Sequence, residues 1–314
     1  MGRIVFLNPS PRELISGGMK TVYRQAEMLT ELGFEACIFQ PDGKPDWLRT
    51  SASVLTAVPY PLRDEILVIP ENATGWVADL ALNATSVQRV LFCQNQYYMF
   101  DSAVPPERFR TAGFSQIICP GEIARGFLSR VFHLDDIAVV PYHIDPEIFF
   151  PRMKSARVVV MPHKLPRQAV LLQSALRAKY PRLKSVPWGA IDNTTEEQTA
   201  ELLGRSTVYL SLSSMESFGL VPLEAMASHC IVVGFHGYGG MEYASPENGY
   251  WFSPDQIEEV VDALASVLDR IERGDKALDD MRIAGLKTVA RYARSETKAA
   301  LARAYGPLVA RSKS

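Results

Sequence analysis

Short apolar runs alternate with amphipathic stretches along nearly the whole chain, and this alternation limits the fold more than any other feature. Strands are expected at 3–7, 34–39, 66–69, 89–93, 115–119 and 137–141, with helices at 19–32, 75–82 and 121–132. The second half repeats the theme, with strands at 156–161, 207–213 and 231–235 and helices at 167–180, 195–204, 220–229 and 256–271. Such alternation specifies a parallel sheet covered by helices on both faces. Arg157-Val-Val-Val-Met161 and Cys230-Ile-Val-Val-Gly234 are nearly continuous in apolar character, which suits strands buried on both faces. The expected class is α/β.

A length of 314 residues accommodates two domains of about 150 each. The break is expected near Pro146 to Ser155, where two prolines bracket the chain just before a fresh strand. The expected division is therefore 1–150 and 151–290, with a final helix over 291–314 packing back on the first domain. Two Rossmann-like domains would face each other across a cleft, with ligands at the carboxyl ends of the strands. The tail from 275 reads as two helices rich in Ala, Lys and Arg, and Tyr305-Gly306-Pro307 is expected to end or bend the last.

Net charge is -2, which argues against a nucleic-acid partner. Cys37, Cys93, Cys119 and Cys230 have no metal-ligand spacing and read as buried, reduced thiols. No two of the histidines at 133, 143, 163, 229 and 236 are spaced for a metal. The apolar start Arg3-Ile-Val-Phe-Leu7 is too short for a signal-peptide core, and no run approaches the ~20 residues that span a bilayer. A cytoplasmic protein is expected. Peripheral membrane contact and oligomeric state stay open.

The chemistry concentrates at one junction. Val208-Tyr-Leu-Ser-Leu-Ser-Ser214 reads as a strand entering the loop Met215-Glu216-Ser217-Phe218-Gly219, and a helix follows with Pro222 in its first turn. A helix N-terminus offers free backbone N–H groups and the positive end of a dipole, a natural place for phosphate. Gly219 lets a ligand approach the backbone closely. Glu216 on the loop is free to accept hydrogen bonds from hydroxyls, and Glu224 sits in the first turns of the helix. Each acid also has a bland reading, Glu216 as a solvated loop residue and Glu224 as a complement to the helix dipole.

Glu216 and Glu224, with Ser-Phe-Gly-Leu after the first and Ala-Met-Ala after the second, resemble the E-x7-E signature of retaining, family 4-like glycosyltransferases of the GT-B fold. Gly17-Gly18 resembles that family's glycine-rich loop after the first strand. Val139-Val-Pro-Tyr-His-Ile-Asp145 with Phe149 resembles its hinge. Gly239-Gly240-Met-Glu242 and Asn248-Gly249 resemble the segment after its E-x7-E helix. The resemblance implies a nucleoside-diphosphate sugar as co-substrate, a glycan, lipid-linked or small-molecule acceptor, and no cofactor. It implies sugar contact at Glu216, ribose contact at Glu224, and backbone donors around Ser217, Phe218, Gly219 and Leu220. Met161-Pro-His163-Lys164-Leu-Pro-Arg167 stands where the family neutralises the leaving diphosphate, which gives that role to Lys164 and Arg167 and places His163 beside the donor. The family spacing is not kept there, and a solvated pair at a helix N-terminus is the alternative.

The acceptor side would involve Gly17, Gly18 and Asn95. Many family members carry a histidine where this chain reads Phe92-Cys-Gln-Asn95. An amide can bind a hydroxyl but cannot act as a base at neutral pH. No D-x-D motif marks a metal-dependent sugar transferase, so no metal is expected. The alternative function is a non-catalytic GT-B-like protein that binds sugar nucleotide or glycan. An epimerase or phosphorylase would need a clearer acid–base set. A dehydrogenase would need a Gly-x-Gly-x-x-Gly after the first strand, and Gly237-Tyr-Gly-Gly240 comes late. Trp188, Tyr209, Tyr238 and Tyr243 could stack on a base or simply pack.

Overall fold

The computed structural model describes residues 2–57 and 64–311. The chain forms two compact units. One comprises the residues up to Tyr142 together with those from Arg294 onward, and the other is His143–Ala293.

The first unit contains β1 (Ile4–Leu7), α1 (Gly17–Glu31), β2 (Ala36–Phe39), β3 (Ser53–Leu55), β4 (Ile66–Pro70), α2 (Gly75–Asn83), β5 (Gln88–Phe92), β6 (Gln116–Cys119), α3 (Glu122–Phe132) and β7 (Ile137–Val139). Among the described residues its strands are ordered β3-β2-β1-β4-β5-β6-β7 and pair in parallel throughout. The pleat sends alternate side chains to opposite faces. Ile4 and Phe6 of β1 join Met19, Tyr23 and Leu29 of α1, whereas Val5 and Leu7 join Val77 and Ala81 of α2 and Leu128 of α3.

The second unit contains β8 (Ser155–Val160), α4 (Pro166–Lys179), β9 (Trp188–Ala190), α5 (Glu196–Arg205), β10 (Ser206–Ser213), α6 (Leu220–Ala227), β11 (Ile231–His236), β12 (Gly249–Phe252), α7 (Ile257–Glu272) and α8 (Ala277–Ala290). Its sheet runs β12-β11-β10-β8-β9, again parallel. Val158, Leu210 and Val233 pack against Leu172 and Leu176 of α4 and Val260 and Leu264 of α7. The last helix, α9 (Arg294–Arg311), belongs to the first unit, where Leu301, Tyr305 and Leu308 complete the core over α1.

Three expectations need correction. The division falls at Tyr142/His143, ahead of Pro146, because Ile144 N–H donates to the Tyr292 carbonyl (3.1 Å) and Arg152 N–H to the Gly204 carbonyl (3.0 Å). Gly17 and Gly18 are the first turn of α1 rather than a loop before it. Ser16 caps that turn, its hydroxyl accepting from Met19 N–H (3.1 Å), so the helix starts earlier than its apolar pattern does. Finally, α9 does not stop at Tyr305-Gly306-Pro307 but runs through Pro307 to Arg311. Burial of Tyr305, Leu308 and Val309 on both sides of the proline outweighs the one helical hydrogen bond it forfeits. The four cysteines are all buried, and none forms a disulfide among the described residues. Among the described residues no helix is long and apolar enough to cross a membrane.

Candidate functional site

At the carboxyl end of the second sheet, the wholly buried strand β10 feeds the loop 214–219. Gly219 closes that loop at a φ of +81°, a conformation most side chains avoid, and caps α6 without a side chain of its own. The N–H groups of the first helical turn have no partner within the helix. The loop is held by the turn that follows β11. Tyr238 N–H donates to the Ser214 carbonyl (3.1 Å) and Gly239 N–H to the Glu216 carbonyl (2.7 Å). A Cβ on Gly239 would stand 2.1 Å from the carbonyl carbon and oxygen of Ser217, so only glycine lets the two turns touch.

Aromatic side chains anchor the loop from below. Phe218 is buried, edge-on to Tyr292 (centroids 5.2 Å apart) and to Tyr243 (5.9 Å). The Tyr243 hydroxyl donates to the Gly219 carbonyl (2.7 Å). Asn248 fixes Tyr243 in turn, its amide donating to the Tyr243 carbonyl (2.7 Å) and to Thr288 Oγ1 (3.0 Å), while its Oδ1 accepts from Trp251 Nε1 (2.9 Å). Phe218 and Tyr243 are therefore framework. Tyr209 is buried as well. Burial, with the nearby charges of Glu216 and Glu224, raises the phenols of Tyr209 and Tyr243 above their usual range.

Glu216 is not the free loop acid expected from the sequence. Its Oε1 lies 2.6 Å from Lys164 Nζ, which stands on the short turn Pro162–Lys164 after β8. Beside it, His163 Nδ1 lies 3.5 Å from Asp192 Oδ1, just past β9. Arg167 stands exposed in the first turn of α4, with no ion pair among the described residues. Glu224 is buried on α6, and the Ser217 hydroxyl is buried without a partner among the described residues. The carboxyl ends of β8, β9 and β10 thus gather Lys164, His163, Asp192 and Glu216 beside an uncapped helix N-terminus. Sequence reasoning missed Asp192 and the Lys164–Glu216 pair. Neither has a local signature, since the pair spans 52 positions (164 to 216).

The first unit places the other named residues. A Cβ on Gly18 would stand 3.3 Å from Gln94 Oε1, so the glycine lies directly against the loop after β5. Asn95 is buried, with its Oδ1 accepting from Tyr97 N–H (3.1 Å) to cap the short helix Gln96–Asp101. Its own N–H donates to Glu71 Oε1 (2.8 Å). Glu71, which the sequence did not single out, is buried, and burial pushes its carboxyl up to about 7. Among the described residues no three His, Cys, Asp or Glu side chains group as metal ligands would.

Residues 190–283 match the family profile for glycosyl transferases group 1. An alpha-1,6-glucosyltransferase of Actinobacillus pleuropneumoniae serotype 7 (strain AP76) is 24% identical over 217 residues, or 67% of this chain. The match spans 65% of that relative's length. Two solved structures share the fold across nearly the whole chain. A glycosyltransferase from Rickettsia africae ESF-5 superposes with a TM-score of 0.72 at 13% identity, covering 98% of both chains. A sucrose-phosphate synthase from Thermosynechococcus elongatus gives the same TM-score at 15% identity, covering 99% of this chain and 100% of its own.

Proposed function

We propose that this chain, a GT-B glycosyltransferase with a group 1 segment, transfers a sugar from a nucleoside-diphosphate sugar to a hydroxyl of a glycan, lipid-linked or small-molecule acceptor, with retention of configuration and without a metal. The observation that carries this reading is the Lys164–Glu216 pair beside the N-terminus of α6. A sugar hydroxyl donating to Glu216 and a diphosphate accepting from Lys164 satisfy both charges at once. Arg167 and the first-turn N–H groups add further donors for phosphate, and His163 lies next to Lys164. Glu224 takes the ribose. Placing the chain in the family 4-like branch rests on the E-x7-E spacing of the two acids.

In this mechanism the bond from the anomeric carbon to the diphosphate oxygen breaks while the acceptor oxygen bonds on the same face. The acceptor proton leaves with the diphosphate. Charge grows on the leaving oxygens, where preorganised cations and N–H groups stabilise the transition state more than the ground state. Holding donor and acceptor together supplies much of the remaining acceleration.

A thermal-shift screen with UDP-, GDP-, dTDP- and ADP-sugars tests the donor class, because a ligand of the native state raises the melting temperature. Glu216→Ala is expected to lower turnover of the stabilising donor by at least about 10²-fold, as removal of one transition-state contact does, with the melting temperature unchanged. Near-wild-type turnover in that variant rejects the reading. One observation favours a second reading, a binding protein without catalysis: the position of the family histidine carries amides, and Asn95 is committed to a local cap. Stabilisation by a sugar nucleotide with no release of nucleotide, with or without acceptors, would select it.

A further inference from the structure

Polar residues follow four adjacent strands of the first sheet: Asn8 after β1, Gln40 after β2, Glu71 after β4, and Gln94, Asn95 and Gln96 after β5. All are buried except the half-buried Gln94. Asn8 and Gln40 satisfy one another, Asn8 Nδ2 donating to Gln40 Oε1 (2.5 Å) and Gln40 Nε2 to the Ser10 carbonyl. The β5 end is different. Both amide atoms of Gln96 and the Oε1 of Gln94 are buried with no partner among the described residues. Unpaired buried amides are costly, and a native structure that keeps them asks for an explanation.

Beneath this loop lies Glu71, whose carboxylate accepts the backbone N–H groups of Gln94 and Asn95. No cation faces it. The titratable group that does is the Cys93 thiol, which in turn faces Cys119. An uncharged residue would be cheaper to bury here. The ion does one thing a neutral side chain does less well, which is to draw two adjacent N–H groups onto one carboxylate. That fixes the backbone of Gln94 and Asn95, and with it the amide of Gln94 against Gly18.

We propose that Glu71 is the positioning residue of the acceptor side, holding the Gln94–Asn95 loop in the shape that binds a neutral, hydroxyl-rich acceptor. The proposal rests on the transferase reading above. The ligand class follows from the buried polar side chains directly after these strands, which beyond Glu71 are amides. Amides offer a donor and an acceptor to each hydroxyl pair and no countercharge to an ionic group.

The carboxyl is pushed up to about 7, so the ion that grips the loop is lost as the pH falls below neutrality. For stability the sign is opposite. A carboxyl raised on folding binds its proton more tightly in the native state, so its contribution declines as the pH rises from the ordinary carboxylate range to about 7. The test compares the full-length wild type with Glu71→Gln and Glu71→Asp at saturating donor. Glu71→Gln is expected to raise the acceptor KM about tenfold, the loss of one hydrogen bond to a charged group. Hydrolysis of donor by water should stay unchanged, and the acid limb of acceptor kcat/KM should flatten. Glu71→Asp should keep part of that limb. The melting temperature of Glu71→Gln should equal or exceed that of the wild type at pH 8, with any gain gone at pH 5. An unchanged acceptor KM and pH profile overturns the proposal. So does a fall in melting temperature that carries donor hydrolysis down with acceptor use, which marks a merely structural role. If the wild type transfers no sugar at all, the transferase reading fails, and calorimetry with neutral disaccharides decides this one separately. Binding that weakens about tenfold in Glu71→Gln supports it, and absent or unchanged binding rejects it.

Discussion

Gly239 illustrates how little room the donor loop has. Its missing side chain lets the turn after β11 lie against the Ser217–Phe218 peptide, and an added Cβ would overlap that backbone at 2.1–2.3 Å. Backbone cannot step aside as a flexible side chain can, so Gly239→Ala must move Glu216 and Ser217. We expect turnover to fall at least about 10²-fold, as displacement of catalytic groups does, with a stability loss of roughly 1–3 kcal/mol from overpacking. Steady-state kinetics and thermal melting check this. Gly274→Ala is the control. That glycine has a positive φ (+67°), which Gly239 does not, and nothing stands within 4 Å of an added Cβ, so backbone strain alone acts there and activity should persist. At this scale the sequence was informative about Glu216, Gly219 and Glu224, which lie together in one short stretch. Glu71 was illegible. An isolated acid after a strand says nothing about a loop 24 positions on, and only the β4–β5 pairing brings the two together.

Helices α5 and α6 end close together, and one lysine serves both. Lys154 Nζ donates to the carbonyls of Leu203 (3.2 Å) and Ser206 (2.6 Å) at the end of α5, and to that of Ser228 just beyond α6. The positive charge complements two helix dipoles and satisfies terminal carbonyls that lack an intrahelical partner. Lys154→Met keeps the aliphatic stem and removes the donor. A stability loss of about 2–3 kcal/mol is expected, in keeping with lost hydrogen bonds to a charged group, and urea denaturation followed by circular dichroism measures it. An unchanged midpoint would show that water replaces the ammonium. Strands were legible in proportion to burial. β1, β4 and β11 are wholly or largely buried and read directly as apolar runs. Three strands were not expected: β3 (Ser-Val-Leu), β9 (Trp-Gly-Ala) and β12 (Gly-Tyr-Trp-Phe). All three are short and lie at a sheet edge, where the neighbouring strand rather than their own composition recruits them.

Across the whole molecule, the return of α9 to the first unit is the dominant feature. It buries Leu301, Tyr305, Leu308 and Val309, binds Gln88 Nε2 through the Leu308 carbonyl (2.8 Å), and pairs Arg294 with Glu31 at 2.5 Å. At roughly 1.5–3 kcal/mol for each large buried side chain, these four rival the 5–15 kcal/mol that holds a typical domain together. A chain ending at Ala293 should therefore lose the first unit and keep the second. Calorimetry is expected to show the second unit's transition surviving, and limited proteolysis to trim the chain back towards His143. Cooperative melting of an intact first unit in that truncation would refute the assignment of α9 as structural.

The same connectivity imposes an order on synthesis. His143–Ala293 is continuous and is synthesised before α9, so the inner unit needs no segment made after it. The outer unit does: its sheet must wait, with the face around Phe6, Tyr23 and Phe92 incompletely covered, until α9 emerges. A nascent chain of this sequence therefore carries an open apolar face through most of its synthesis, and a chain stopped short of α9 would keep it.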